Sequence, residues 1–99
     1  MQIIYEYHDV TASDRLEEIA KEKLENLHKK FDFVHRADVF FKTQNRSDEE
    51  EQICDIRLSM PGPRIFASTN AENFESAISE TIRDLEDQLR KYKNKAGIR

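Results

Sequence analysis

The side chains best placed to do chemistry in this chain are cations. Lys23 and Lys30 stand seven residues apart, as do Arg83 and Arg90, with Lys93 following. At about 100° per helical residue, a spacing of seven returns a side chain to nearly the same side two turns on. The last ten residues add Arg90, Lys91, Lys93, Lys95 and Arg99 and contain no acid, so 90–99 reads as a basic tail. Rows of Lys and Arg suit phosphate: each cation displaces condensed counterions, and a guanidinium fork contacts two oxygens together. The competing use of these cations is in helical ion pairs with Glu22, Glu25, Asp84 and Glu86, each worth about 0.2–0.5 kcal/mol. A basic final turn also complements the partial negative charge at a helix C-terminus.

Other chemistry finds no support. His8, His28 and His35 lack metal-ligand spacing, and Cys54 is the single cysteine, so neither an internal disulfide nor a cysteine-rich metal site is available. The carboxylate runs Glu17-Glu18, Glu49 to Glu51 and Glu86-Asp87 read as solvated faces rather than acid/base pairs. With glycine only at 62 and 97 there is no phosphate-cradling loop, and no serine sits at a nucleophile elbow. No enzyme activity, metal, cofactor or small-molecule substrate is expected. Tyr5, Tyr7, Phe40 and Phe66 could stack bases on an open sheet face, although strand aromatics more often pack on cross-strand neighbours.

The elements that must carry the cations are legible from periodicity. Residues 2–8 alternate around Ile3, Tyr5 and Tyr7 and predict a strand. Thr11 or Ser13 can cap a helix whose stripe is Leu16, Ala20, Leu24, Leu27 and Phe31. Ala37, Val39 and Phe41 alternate within a second strand over 36–43. The stretch 43–52, TQNRSDEEEQ, lacks any apolar residue and reads as a solvated loop. Cys54, Ile56 and Leu58 define a third strand, Pro61-Gly62-Pro63 a turn, and Ile65 and Ala67 a fourth strand antiparallel to the third. Asn70 is the candidate cap of a helix over 71–95 with the stripe Phe74, Ile78, Ile82, Leu85, Leu89 and Tyr92. The order βαβββα predicts an α+β two-layer sandwich, a four-stranded mixed sheet with both helices on one face. A right-handed crossover makes the first two strands parallel if they are neighbours.

Length and composition agree. Ninety-nine residues accommodate one domain, 1–99, and a 37% hydrophobic fraction against 36% charged leaves only a thin core. No apolar run approaches the roughly 20 residues of a bilayer span, and the N-terminus does not resemble a signal peptide. A cytoplasmic protein without membrane association is expected. Net charge is −4, yet residues 1–89 hold eleven basic and twenty acidic residues, a balance of −9. The tail is a local basic patch on an acidic body.

Particular residues resemble the ribosome hibernation promoting factor family, also called ribosome-associated inhibitor or sigma-54 modulation proteins. They are the opening Met1-Gln2-Ile3, Val10, the Leu16, Lys23, Leu27, Phe31-Asp32 helix, Ile65-x-Ala67-Ser68, Ala77-Ile78, Leu85-Glu86-x-Gln88-Leu89 and Lys91-x-Lys93-x-Lys95. The resemblance covers nearly the whole chain and implies a non-catalytic domain in the messenger and transfer RNA channel of the small ribosomal subunit. Such a domain inhibits translation under stress. The resemblance places Lys23, Lys30, Arg83, Lys91, Lys93 and Lys95 against ribosomal RNA, and helical geometry adds Arg90. Asn26 and Asp87 stand where relatives often carry Lys or Arg, which thins the patch. The length resembles the short form, which acts with a separate ribosome-dimerisation factor or holds single ribosomes inactive; the residues leave both open. A monomer is expected when free. The rival reading is a protein-interaction module whose acidic loop, Asp48 to Glu51, and acidic helix surfaces engage a basic partner.

Overall fold

The computed structural model describes residues 1–46 and 49–97, with side chains described outside 45–50. Its elements are β1 (Gln2–His8), α1 (Asp14–Lys30), β2 (Arg36–Arg46), β3 (Glu49–Ser59), β4 (Ile65–Ala71) and α2 (Phe74–Ala96). The sheet order is β1-β2-β3-β4, with β1 parallel to β2 and the other pairs antiparallel. This is the expected βαβββα sandwich. Parallel pairing of β1 and β2 requires a crossover, and α1 supplies it by lying back across the sheet.

One face of the sheet holds the core. Ala37, Val39 and Phe41 of β2, Cys54, Ile56 and Leu58 of β3, and Ile65 and Ala67 of β4 are buried there. Leu16, Ala20, Leu24 and Leu27 of α1 and Ala77, Ile78, Leu85 and Leu89 of α2 meet them. Phe41 is fully buried between the rings of Tyr7 and Phe74, at centroid distances of 5.3 and 5.4 Å. Among the described residues of this layer Thr81 is the one wholly buried polar residue, and its hydroxyl bonds the Cys54 carbonyl at 3.1 Å and the Thr69 hydroxyl at 2.9 Å. That pairing offsets the cost of burying a polar group.

Helix ends follow from local chemistry. Ser13 caps α1 by accepting from the Leu16 N–H at 3.3 Å. Asn70 is not the cap of α2: β4 continues through Ala71, which pairs with Gln52, so the chain turns later and Asn73 accepts from the Ser76 N–H at 2.8 Å. Gly97, at φ 69°, closes α2 in the left-handed conformation that glycine reaches without a Cβ penalty.

The expected 43–52 loop is also corrected. Residues 43–46 and 49–52 are strand, in unbroken register from Phe41↔Cys54 out to Arg46↔Glu49. A ladder needs backbone groups, not apolar side chains, so the β2–β3 pair runs on past the core as a polar ribbon. Of the acidic segment Asp48 to Glu51, Asp48 and the side chains of Glu49 and Glu50 lie outside the described residues, as does Arg99.

Candidate nucleic-acid interface

The two helices lie side by side, and their facing flanks carry three of the seven cations named above, Lys23, Lys30 and Lys93. On α1 the flank beside the buried stripe, toward α2, presents Arg15, Ile19, Lys23, Asn26 and Lys30. The facing flank of α2 presents Glu75, Ser79, Glu86 and Lys93. Lys23 lines a shallow cavity of about 310 Å³ between the helices with Glu22, Asn26, Glu75 and Ser79. Two ion pairs bridge the seam: Arg15 to Glu75, and Lys30 Nζ to Glu86 Oε1 at 2.8 Å.

Glu86 takes a second cation. Its other oxygen accepts from Arg90 at 3.0 Å, and Arg90 also reaches Asp87 at 3.2 Å. The hydrogen bond from Lys30 is the main reason the Glu86 carboxyl is held below the usual carboxylate range, and Arg90 adds to it. Two of the seven candidate cations therefore share one carboxylate. The i,i+4 spacing of Glu86 and Arg90 is visible in the sequence, but the link to Lys30 spans 56 residues and needed the tertiary structure.

The seven residues do not form one row. Arg83 and Arg90 point outward from α2 within about 20° of each other. Lys93 turns toward α1, its ammonium 5.8 Å from the Phe31 ring centroid, a cation–π contact that joins the last turns of both helices. Lys91 and Lys95 fall about 80–120° to the other side of Arg83, on the flank of α2 away from α1. Beneath this end Phe33 packs edge to face on Phe31 and tilted against Tyr92, with centroids 6.2 and 5.9 Å apart. Tyr92 donates to the Pro61 carbonyl at 3.4 Å, and a Cβ on Gly62 would come within 2.9 Å of its hydroxyl. The basic end is thus a braced surface rather than a loose tail.

The opposite sheet face is a different surface. Asp38 and Asp55 are buried there although no helix covers them. Asp38 accepts from Arg36 at 2.9 Å and lies 3.7 Å from Arg57, while Asp55 is held by Lys42 at 2.6 Å and by the Ser68 hydroxyl. Arg57 stacks over Phe40 at 6.0 Å. Tyr5 and Tyr7 are not on this face: strand alternation turns them under α1, where Tyr5 donates to the Glu17 carbonyl at 3.0 Å and Tyr7 to the Glu17 carboxylate at 2.7 Å. Of the four aromatics considered for base stacking, Phe40 and Phe66 remain on this side, and only Phe66 is largely exposed, at 53%.

Among the described residues neither face carries a catalytic arrangement. Cys54 is buried, and desolvation pushes its thiol up to about 12. Among the described residues no group of three or more His, Cys, Asp or Glu could hold a metal ion, and no helix is long and apolar enough to cross a membrane.

Comparison with known proteins bears on what such a surface serves. The fold is similar to that of a ribosomal subunit interface protein from Coxiella burnetii, with a TM-score of 0.84 and 26% identity over 95% of this chain and 99% of that one. It is also similar to the N-terminal domain of Protein Y from Thermus thermophilus, with a TM-score of 0.78, 18% identity, and coverage of 93% and 99%. At that identity the second likeness speaks for the fold alone. A search of curated proteins gives no match. Residues 3–96 match the family described as Sigma 54 modulation protein / S30EA ribosomal protein, almost the full length of the sandwich. The chain belongs to this family of ribosome-associated, non-enzymatic proteins.

Proposed function

We propose that the protein occupies the messenger and transfer RNA channel of the small ribosomal subunit and keeps idle ribosomes from translating under stress. It holds ribosomal RNA phosphates with the cations of the α1–α2 layer. The observation that carries this reading is the coincidence of two things: membership of a ribosome-associated family, and a rigid helical layer that displays Arg83, Arg90, Lys91 and Lys95 on its exposed surface. Folded RNA is recognised chiefly by shape and phosphate position, which a fixed cationic surface can match without reading bases. Lys23, Lys30 and Lys93 extend that surface along the seam. Inhibition is steric, because a domain in the channel excludes the RNA ligands that must pass through it. The site of action is the cytoplasm, the free protein is a monomer, and a separate ribosome-dimerising factor is a candidate co-partner.

The test replaces Arg83, Arg90 and Lys91 together by Glu. None of the three is buried, so circular dichroism should match the parent. Co-sedimentation with small subunits should be lost, and a folded variant that still co-sediments at parental affinity contradicts the proposal.

A further inference from the structure

The acidic half of the molecule has its own geometry, centred on the edge of the sheet. β1 has a single neighbour, β2. The Gln2 N–H donates to the His35 carbonyl at 3.0 Å, so Gln2, Ile4, Glu6 and His8 turn their backbone groups toward β2. By the alternation of a strand, Ile3, Tyr5 and Tyr7 turn theirs outward, along an edge that no strand of the described residues covers. Those three residues offer three N–H and three C=O groups as unused rungs.

Above this edge runs a groove of about 500 Å³. Its floor is apolar, formed by Met1, Ile3 and Tyr5, and its far wall is the outer flank of α1, with Asp14, Glu17, Glu18 and Lys21. Three carboxylates thus face one ammonium. The groove continues past Lys21 to Glu25, His28 and Lys29. It is preformed, because the hydroxyls of Tyr5 and Tyr7 both bond to Glu17 and fix the height of α1 above the strand.

We propose that β1 and this groove form a docking site for an extended basic segment of a partner protein, added to the sheet as a fifth strand beside β1. Main-chain bonds to Ile3, Tyr5 and Tyr7 supply register, and alternate side chains of the added strand point up at the acidic wall of α1. Charge complementarity selects the occupant. A nucleic acid would meet the carboxylates with its phosphates, and a second copy of this chain would bring its own acidic wall to the same place. Lys or Arg at every second position instead sets cations about 6.7 Å apart, close to the rise of about 6 Å between Asp14 and Glu18 on successive turns of α1. This site is separate from the cationic layer and does not depend on the ribosomal reading.

The probe is a ten-residue peptide of alternating arginine and valine, added to the full chain labelled for amide hydrogen exchange. Exchange at Ile3, Tyr5 and Tyr7 should slow at least tenfold, with the outer edge of β4 unaffected. The same peptide methylated on alternate backbone nitrogens should bind at least tenfold more weakly, since it cannot form the rungs. The double variant Glu18→Lys, Glu25→Lys, whose two side chains are exposed, should weaken the unmethylated peptide by a similar factor. Absence of binding at millimolar peptide, equal binding of the methylated peptide, or protection elsewhere than β1 overturns the proposal. Concentration-dependent dimerisation through β1 without peptide would make a second copy the occupant and overturn it too.

Discussion

Replacing Glu86 by Gln should make the protein less stable and a better ligand for RNA. Glu86 receives Lys30 at 2.8 Å and Arg90 at 3.0 Å, and those cations are 62% and 55% exposed, so water screens both pairs. At about 0.2–1 kcal/mol for an exposed pair, E86Q should cost roughly 1 kcal/mol, a fall in Tm of a few degrees for a domain of this size. The carboxylate also competes with any phosphate for the same two cations. Releasing them permits one to two further phosphate contacts, since Arg90 keeps Asp87. Each contact steepens the dependence of log K on log salt by about 0.7–0.9, equivalent to about five- to eightfold in affinity at 0.1 M salt relative to 1 M. Binding of E86Q to small subunits should therefore tighten by about 5- to 60-fold at 0.1 M salt, with the gain shrinking as salt rises. Sedimentation or fluorescence anisotropy over a salt series measures both quantities. Parental affinity and slope in E86Q would place Lys30 and Arg90 outside the contact, and weaker binding would mean that Glu86 positions cations instead of withholding them. A pH series adds a check. The folded-state pKa of Glu86 is depressed, so its stabilisation is present above the ordinary carboxylate range and lost as pH falls through the folded value. The stability gap between parent and E86Q should close on acidification.

Further predictions concern the frame that holds these residues. Burial is the largest cause lifting Tyr5 to about 12, with Glu17 adding to it, and burial likewise lifts Cys54 to about 12. For both groups the folded state holds the proton more tightly, so stability is full below their ordinary values of 10.0 and 9.0 and falls as pH rises toward 12; tyrosinate absorbance of the parent minus that of Tyr5→Phe should show Tyr5 ionising well above 10. Cys54 should react with a thiol reagent only at the rate of unfolding, and fast labelling in the native state would contradict its burial. Thr81→Val should cost about 1–2 kcal/mol in urea unfolding, because the Cys54 carbonyl and the Thr69 hydroxyl lose a buried partner. Asp38→Ala should cost a similar amount, about 1–2 kcal/mol, since it leaves Arg36 and Arg57 together on the sheet with room to reach water.

Periodicity made the architecture legible because both helices and strands β2, β3 and β4 each turn an apolar stripe into the core. The stripes Leu16 to Leu27 and Ile78 to Leu89 and the alternation Ala37, Val39, Phe41 lie in the core as expected. Where no face is buried, pattern is silent: Thr43, Gln44, Glu51 and Gln52 are paired strand residues without an apolar signal. The cap of α2 moved to Asn73 because cross-strand pairing at Ala71 outranked the local capping signal of Asn70. The cations were legible as residues, but their grouping was not. That Lys30 and Arg90 meet on Glu86, and that Lys93 rests on Phe31, depends on how α1 and α2 lie against each other. Nor was the acidic groove beside β1 readable, since Ile3 and Glu18 become neighbours only once α1 crosses back over its own strand.

Binding of the labelled protein to vacant small subunits, compared with subunits already loaded with messenger and transfer RNA, tests the central claim most directly. Saturable binding to vacant subunits that weakens with salt and is blocked by the loaded RNAs is the predicted result. Equal binding to both kinds of subunit would contradict occupancy of the channel.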